Sequence, residues 1–558
     1  MSPKGKLLSR WVKSDSGSDR HTGGSEHRVE RDIEHGVECE RARPRRRSPA
    51  VTSTESRELS DDPDTEHVDV LVVGAGVSGI GAARRLQQEC PSKSFAVLER
   101  RAALGGTWDL FRYPGVRSDS DIYTLSYPFR PWRGSRSIVD GASIRDYIGD
   151  TAREHGIDRH IRYSTKVVSA HWSSEQARWT VETRTGEHGE RRVYRCSFLY
   201  MCTGYYDYDK GHQPEFDGLD EFEGSLVHPQ FWPENLDFEG KRVAIVGSGA
   251  TAVTLVPAMA EKAAHVTMVQ RSPSYITVLP SVDGVADKLR TYLPARVAHP
   301  VIRAKNAVVA LGFYQFCRRF PERAKTFLRD QAVRYLGDES YVDTHFAPNY
   351  QPWDQRLCVI PDGDFYRTLR SGRASVVTDT IDRFVPSGIR TSSGDVVEAD
   401  IVVSATGLSL LPFGGLELSV DGEPVDISDT VVYRGVMLSG VPNFACCVGY
   451  TNASWTLRAD LSSRYVCRMV NYLDARGFAA ATPRPPGGMV RKPMLDLDAN
   501  YIKRSIDRFP SQGDRSPWRV RQNYLLDKLE MSRPGPARDM AFTRHGTSSH
   551  RRNLEGAR

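Results

Sequence analysis

Apolar positions along this chain fall into two passages that follow the same order. The first opens on a β-branched run, Val68 to Val73, passes through GAGVSG into an Ala/Leu/Arg-rich stretch ending near Gln88, and reaches a second apolar run, Phe95 to Leu98. Short continuous apolar runs bounded by glycine and separated by helical spacing predict strand, tight turn, helix and strand. Alternation at Tyr163 to His171 and Arg178 to Thr183, then the run Phe198 to Met201, predict further strands that close on Cys202-Thr203-Gly204. The order returns at Val243 to Val246, GSGATA, a helical stretch and Val266 to Val269. A β-rich stretch from Val376 to Val403 then ends on Ala405-Thr406-Gly407. These paired endings point to an internal duplication. Between about 275 and 350 the pattern becomes helical, around 297 to 317 and 322 to 336, and rich in arginine and aromatics. It reads as an ordinary packed helical insertion, with a basic amphipathic surface leaning on a membrane as the competing reading.

Glycine placement adds chemistry to this pattern. Gly74, Gly76 and Gly79 follow the first strand and open a helix, and Glu99 ends the next strand about 20 residues further on. In that context the glycines admit the pyrophosphate of a dinucleotide, the helix start offers free N–H groups, and the acid accepts ribose hydroxyls. Gly247, Ser248, Gly249 and Ala252 repeat the turn, but Gln270 and Arg271 stand where the acid would be. An arginine there suits a 2′-phosphate, so the second nucleotide is expected to be NADPH. The fold class is therefore α/β, with two Rossmann-like dinucleotide-binding domains, a helical insertion and a disordered N-terminal tail.

At 558 residues the chain exceeds what one core supports. Residues 1–66 are polar and read as the disordered tail, conceivable as an upstream extension of the reading frame. The first module is expected at 67–210 and 396–531, the second at 225–278 and 351–395, the insertion at 279–350, and a flexible C-terminal tail at 532–558. The net charge of +6 is mild, much of the basic character sits in the tail around Arg41 to Arg47, and no folded basic stripe with interleaved aromatics is visible, which argues against nucleic-acid binding. Nine scattered cysteines without C-x-x-C argue against a disulfide framework or a metal site and fit a reducing cytoplasm. The longest apolar run, Ala307 to Tyr314, falls short of the ~18 residues of a membrane span. A soluble protein with no transmembrane segment is expected, with peripheral contact at the inner face of the membrane as the alternative.

Four further stretches carry a resemblance. FEGSLVHPQFWP holds Phe222, Gly224, His228, Trp232 and Pro233 at the spacing of the Baeyer–Villiger monooxygenase fingerprint, between the two glycine turns. GGTWDLFRYPGVRSD, with Gly106, Thr107, Trp108 and Asp119, is similar to a second signature of that flavin-dependent family. WDQRLC, around Arg356, and GYTNASWTL, around Asn452, resemble the ethionamide-activating subgroup. The resemblance covers about 67 to 530 and implies FAD in the first module and NADPH in the second. It implies a small ketone or sulfur-containing substrate, O2 as co-substrate, and oxygen transfer through a C4a-peroxyflavin that Arg356 stabilises while Asp119 holds Arg356. Phe222 to Pro233 would be a hinge with His228 structural. Gly407 repeats Gly204, and a helix starting at Asn452 or Ser454 would face the flavin ring. Relatives often carry lysine where this chain has Gln355, which weakens the NADPH inference. Rival readings are an N- or S-hydroxylating flavin monooxygenase and a non-catalytic FAD-binding redox sensor. Spacing fixes neither the substrate nor the oligomeric state.

Overall fold

A run such as Val70-Leu71-Val72-Val73 has no polar face, so it is stable only where both faces are covered, as inside a parallel sheet. In the computed structural model, which describes residues 65–495, 497–532 and 538–545, all four residues are buried in such a sheet. The first sheet includes β1 (Glu66–Val73), β2 (Phe95–Leu98), β3 (Thr165–Ser173), β4 (Arg178–Thr185) and β5 (Glu190–Met201). Strands β2 and β5 flank β1 in parallel, with Val70 opposite Phe95 and Phe198. The hairpin β3–β4 extends the sheet in antiparallel fashion beyond β5. Helix α1 (Val77–Glu89) makes the crossover from β1 to β2.

A second sheet is wholly parallel. It is built from β6 (Ser225–Val227), β7 (Arg242–Val246), β8 (His265–Gln270), β9 (Ala374–Thr378) and β10 (Ile401–Ser404), in the order β9, β8, β7, β10, β6. Helix α2 (Ala250–Met259) links β7 to β8. This order corrects one expected boundary. The return to the first module was expected at 396, but Ile401 to Ser404 pairs with Val243 to Val246, so the return comes only after Ala405. The chain re-enters the first sheet with Glu417–Val420, which runs parallel to β3, and β11 (Phe444–Cys446) later runs parallel to β5.

Four helices, α3 (Gly284–Tyr292), α4 (Ala295–Arg319), α5 (Pro321–Leu336) and α6 (Glu339–His345), fill the insertion. Arg303 anchors α4: its buried Nη1 donates to the carbonyls of Tyr123, Thr124 and Ser126 at 3.1, 2.8 and 2.6 Å. Among the described residues no helix is long and apolar enough to cross a membrane, and no group of His, Cys, Asp and Glu could hold a metal ion.

The C-terminal part clamps the first module. Helix α7 (Trp455–Arg476) packs on α1, joined by Arg85 to Asp460 at 2.7 Å. Helix α8 (Tyr524–Met531) is pinned to α7 by the buried ion pair of Arg458 with Asp527, whose carboxylate also accepts the Tyr450 hydroxyl at 2.7 Å. Burial pushes the Asp527 carboxyl up and opposes its ionisation, while Arg458 favours the charged form. Removing the acid leaves a guanidinium in the interior without counter-charge, so Asp527→Ala should cost about 3–5 kcal/mol. Thermal melting reads it as a lowered midpoint, with Asp527→Asn less affected. The flexible tail expected from 532 needs correction over Met540–Thr543, a strand paired antiparallel with Ala480–Pro483. Its Phe542 ring stacks on Phe478 at 5.0 Å, an anchor that the polar composition around it hides. Of the expected N-terminal tail, residues 1–64 lie outside the described residues, as do 546–558 of the C-terminal one, and Glu66 already opens β1.

Candidate functional site

A strand that must become a helix within a few residues needs a backbone that bends without a side chain in the way. Gly74 bends at φ +109°, and a Cβ there would stand 2.6 Å from the carbonyl oxygen of Cys202. Gly247 bends at φ +135°, and a Cβ there would stand 2.3 Å from the carbonyl oxygen of Ala405. Each turn is thus pressed against the end of the neighbouring parallel strand, at the two places where the sequence repeats itself. Helices α1 and α2, which follow these turns, carry no side-chain cap, so their first amides are left to an outside acceptor.

Both turns open onto one cavity of about 980 Å³. Its wall includes Gly74, Gly76, Glu99, Gly106, Thr107, Trp108 and Asp119 from the first glycine turn and its neighbourhood. Gly247, Ser248, Gly249, Arg271, Arg356 and Gly407 come from the second turn and the strands beside it. Two uncapped helix starts facing one cavity, each behind a turn that excludes side chains, fit two dinucleotides. Glu99 braces the first turn: its Oε2 accepts the amide of Ala75 at 2.8 Å and its Oε1 that of Arg101 at 2.9 Å. Burial pushes its carboxyl up, and those two amides draw it back down.

Arg356 and Asp119, 237 positions apart, meet on this wall. The guanidinium bonds the carboxylate at two points, Nε to Oδ2 at 2.8 Å and Nη2 to Oδ1 at 3.0 Å. Asp119, more than any other neighbour, holds Arg356 in its charged form above the usual arginine range. A two-point contact fixes the plane of the guanidinium, which a lysine could not offer. Tyr205, Tyr206 and Tyr501 line the same part of the cavity, and burial keeps their hydroxyls protonated. The Tyr205 ring lies 5.3 Å from that of Trp455, whose Nε1 donates to Ser78 Oγ at 2.7 Å and so ties α7 to the start of α1.

Several expected site residues lie elsewhere. Gln270 is buried, and its amide donates to the His345 carbonyl at 2.8 Å and to Thr378 Oγ1 at 2.9 Å, so it packs the insertion on the sheet. Arg271 beside it is exposed on the wall and has no ion-pair partner among the described residues. Asn452 turns away, donating to the Gln522 carbonyl at 2.9 Å; α7 begins at Trp455, and Ala453 and Trp455 border the cavity in its place. Gly79 and Ala252 sit inside their helices. A Cβ on Gly79 would stand 1.7 Å from the Gly74 carbonyl oxygen, and Ala252 is fully buried against the second sheet, so both serve helix packing.

Phe222, Gly224, His228, Trp232 and Pro233 flank and follow edge strand β6, away from the cavity wall. Phe222 packs on Phe384 with ring centroids 5.7 Å apart, and Trp232 packs on the core of the second module. His228 Nδ1 accepts the Gln230 amide at 3.2 Å, and burial lowers its pKa, keeping the ring neutral. Gln230 in turn donates to the Asp207 carbonyl at 2.8 Å, on the segment that leaves the first module. The stretch therefore fastens the inter-module crossing to the edge of the second sheet. Tyr205 and Tyr206 could have been found in the sequence, since they directly follow the first strand ending. Tyr501 sits in a stretch with no periodic signal.

Comparison with known proteins agrees with this geometry. A family model described as flavin-binding monooxygenase-like matches residues 67–285. The FAD-containing monooxygenase EthA of Mycobacterium tuberculosis is 51% identical over 465 residues, covering 83% of this chain and 95% of the relative. EthA of Mycolicibacterium smegmatis is 50% identical over 485 residues, 86% of this chain and 98% of the relative. Among solved structures, an oxidized steroid monooxygenase bound to NADP superposes with a TM-score of 0.65 at 22% identity, over 86% of this chain and 100% of that one. A complex of OTEMO with FAD and NADP gives 0.62 at 22% identity, over 75% and 86%. At that identity the structures speak to the fold.

Proposed function

The chain belongs to the FAD-containing monooxygenases of the flavin-binding monooxygenase-like family, and from that premise we propose that it oxidises sulfur in thioethers and thioamides and inserts oxygen into ketones. It is an NADPH-dependent flavoprotein. In this reading the module of β1 and α1 holds FAD and that of β7 and α2 holds NADPH. Bound FAD, reduced by NADPH, supplies activated oxygen, and the rest falls to the side chains of this chain.

The amides at the start of α1 and Glu99 take the pyrophosphate and ribose of the flavin nucleotide, and those at the start of α2 take the second pyrophosphate. Arg271 takes the 2′-phosphate. Gln355, which also lines the cavity, adds no charge, so nucleotide choice is assigned to Arg271. Arg271→Ala should raise KM for NADPH about tenfold or more, a charge-assisted bond being worth roughly 1.5–3 kcal/mol, and leave NADH almost untouched. Steady-state kinetics with both nucleotides reads the difference; an equal loss would assign the phosphate to another group.

The observation that carries the reading is the two-point pair of Arg356 with Asp119 on the wall between the two glycine turns. A fixed cation there steadies negative charge that develops on oxygen as it meets the carbonyl carbon or the sulfur. Asp119 acts through Arg356 by orienting it. Tyr205, Tyr206 and Tyr501 keep that end of the cavity short of water, which suppresses loss of oxygen as hydrogen peroxide. A thioether, a ketone and a tertiary amine supplied side by side test the proposal. Sulfoxide and ester are expected, and N-oxide as the sole product would contradict it.

A further inference from the structure

Helix α4 wears its polarity inside out. Its 25 residues contain no Asp or Glu, and the two cations in its middle turn inward, Arg303 to three carbonyls and Lys305 to Asp283. The outward face carries Val297, Val301, Ala304 and Val308 at helical spacing, with Val309 at its flank. Val301 is 42% exposed, Val308 51% and Val309 62%. A surface helix normally shows the reverse arrangement.

The ends of this stripe indicate what covers it. Tyr292, 82% exposed, and Arg296 stand at one end; Arg319 and Phe320 stand at the other. Neither arginine has an ion-pair partner among the described residues. Uncharged aliphatic surface between exposed aromatics and unpaired cations is complementary to a bilayer surface that offers acyl chains in the middle and anionic headgroups around them. A second copy of the chain would bring the same cations against these ones and would gain nothing from them. Helix α8, whose Tyr524 packs in one cluster with Ala307 of α4, adds the exposed Leu525, Leu526 and Leu529 nearby. On its inner side α4 packs against Tyr450 and Ala453, two residues of the cavity wall.

We propose that the outer face of α4 seats the enzyme on anionic lipid surfaces, presenting the cavity to apolar substrates dissolved in the membrane. The inference is independent of which oxygenation the cavity performs, because its test reads binding alone. The full-length holoenzyme is sedimented with phosphatidylcholine vesicles and with vesicles enriched in phosphatidylglycerol. The enriched vesicles should carry it down, less so at high salt. Val301→Asp with Val308→Asp should reduce partition at least about tenfold, since two half-exposed valines lose burial and gain repulsion. Arg296→Glu with Arg319→Glu should abolish the preference for phosphatidylglycerol while FAD content and thermal midpoint stay unchanged. Absence of vesicle binding overturns the proposal. So does binding that both double variants retain, which would assign it to another part of the chain such as the basic residues before 65. A concentration-dependent dimer that the valine substitutions break, without vesicle binding, would assign the face to a second copy instead.

Discussion

Arg356→Ala is expected to go on oxidising NADPH while oxygenated product falls about 100- to 1,000-fold, the cost of losing one preorganised donor of developing negative charge. The electrons should reappear as hydrogen peroxide, so the ratio of peroxide to product is the quantity to measure. The expectation follows from how the guanidinium is held. Asp119 grips it at 2.8 and 3.0 Å, so it stands ready on the cavity wall and need not reorganise when charge develops. Asp119→Asn keeps the cation and loses much of its aim, and should give an intermediate loss. Arg356→Lys keeps charge without the fork and should recover only part of the product. FAD content, measured on each variant, separates loss of oxygen transfer from loss of the cofactor. Undiminished oxygenation by Arg356→Ala would remove this residue from the reaction.

The second large effect concerns the second glycine turn. In Gly247→Ala the new methyl would stand 2.3 Å from the Ala405 carbonyl oxygen, at a φ of +135° that side-chain-bearing residues avoid. Both the turn and its neighbour are backbone, so neither can swing aside. The start of α2 must move, and a displacement of about 1 Å at a binding site costs on the order of 100-fold in rate. NADPH turnover should fall by at least that factor while the protein keeps its FAD, because the first turn is a separate structure against Cys202. Gly74→Ala meets the Cys202 carbonyl oxygen at 2.6 Å and should show the opposite pattern, a protein that loses flavin. Absorbance of the purified variants and their NADPH oxidation rates distinguish the two. If Gly247→Ala turns over NADPH normally, the second turn does not cradle that nucleotide.

Legibility from the sequence followed the physics of each signal. The two modules could be read because a glycine turn between a buried strand and a helix tolerates almost no other arrangement, and because Cys202-Thr203-Gly204 and Ala405-Thr406-Gly407 end equivalent strands. The run Ile401 to Ser404 announces a buried strand but says nothing about its neighbour, which is why its place beside β7 emerged only from the register with Val243 to Val246. Gln270 and Arg271 are adjacent, and alternation sends neighbouring side chains of a strand to opposite faces. One of the two had to point inward, and the polar character of glutamine concealed which one. Asn452 failed for a similar reason: the helix begins three residues later, and cap position decides which side chain meets a cavity. The pairing of Arg356 with Asp119 was legible through resemblance alone, since no spacing rule joins residues on different modules. The outward valines of α4 were visible as letters, but their exposure depends on Arg303 turning inward.

The central claim is that one cavity, between two glycine turns, brings NADPH-derived electrons and dioxygen to a substrate sulfur or carbonyl beside Arg356. The most direct test gives the purified protein NADPH, a thioether and isotopically labelled dioxygen. The account predicts a yellow protein that forms sulfoxide carrying the label, in step with NADPH consumed. A colourless protein, or sulfoxide whose oxygen comes from water, would contradict it.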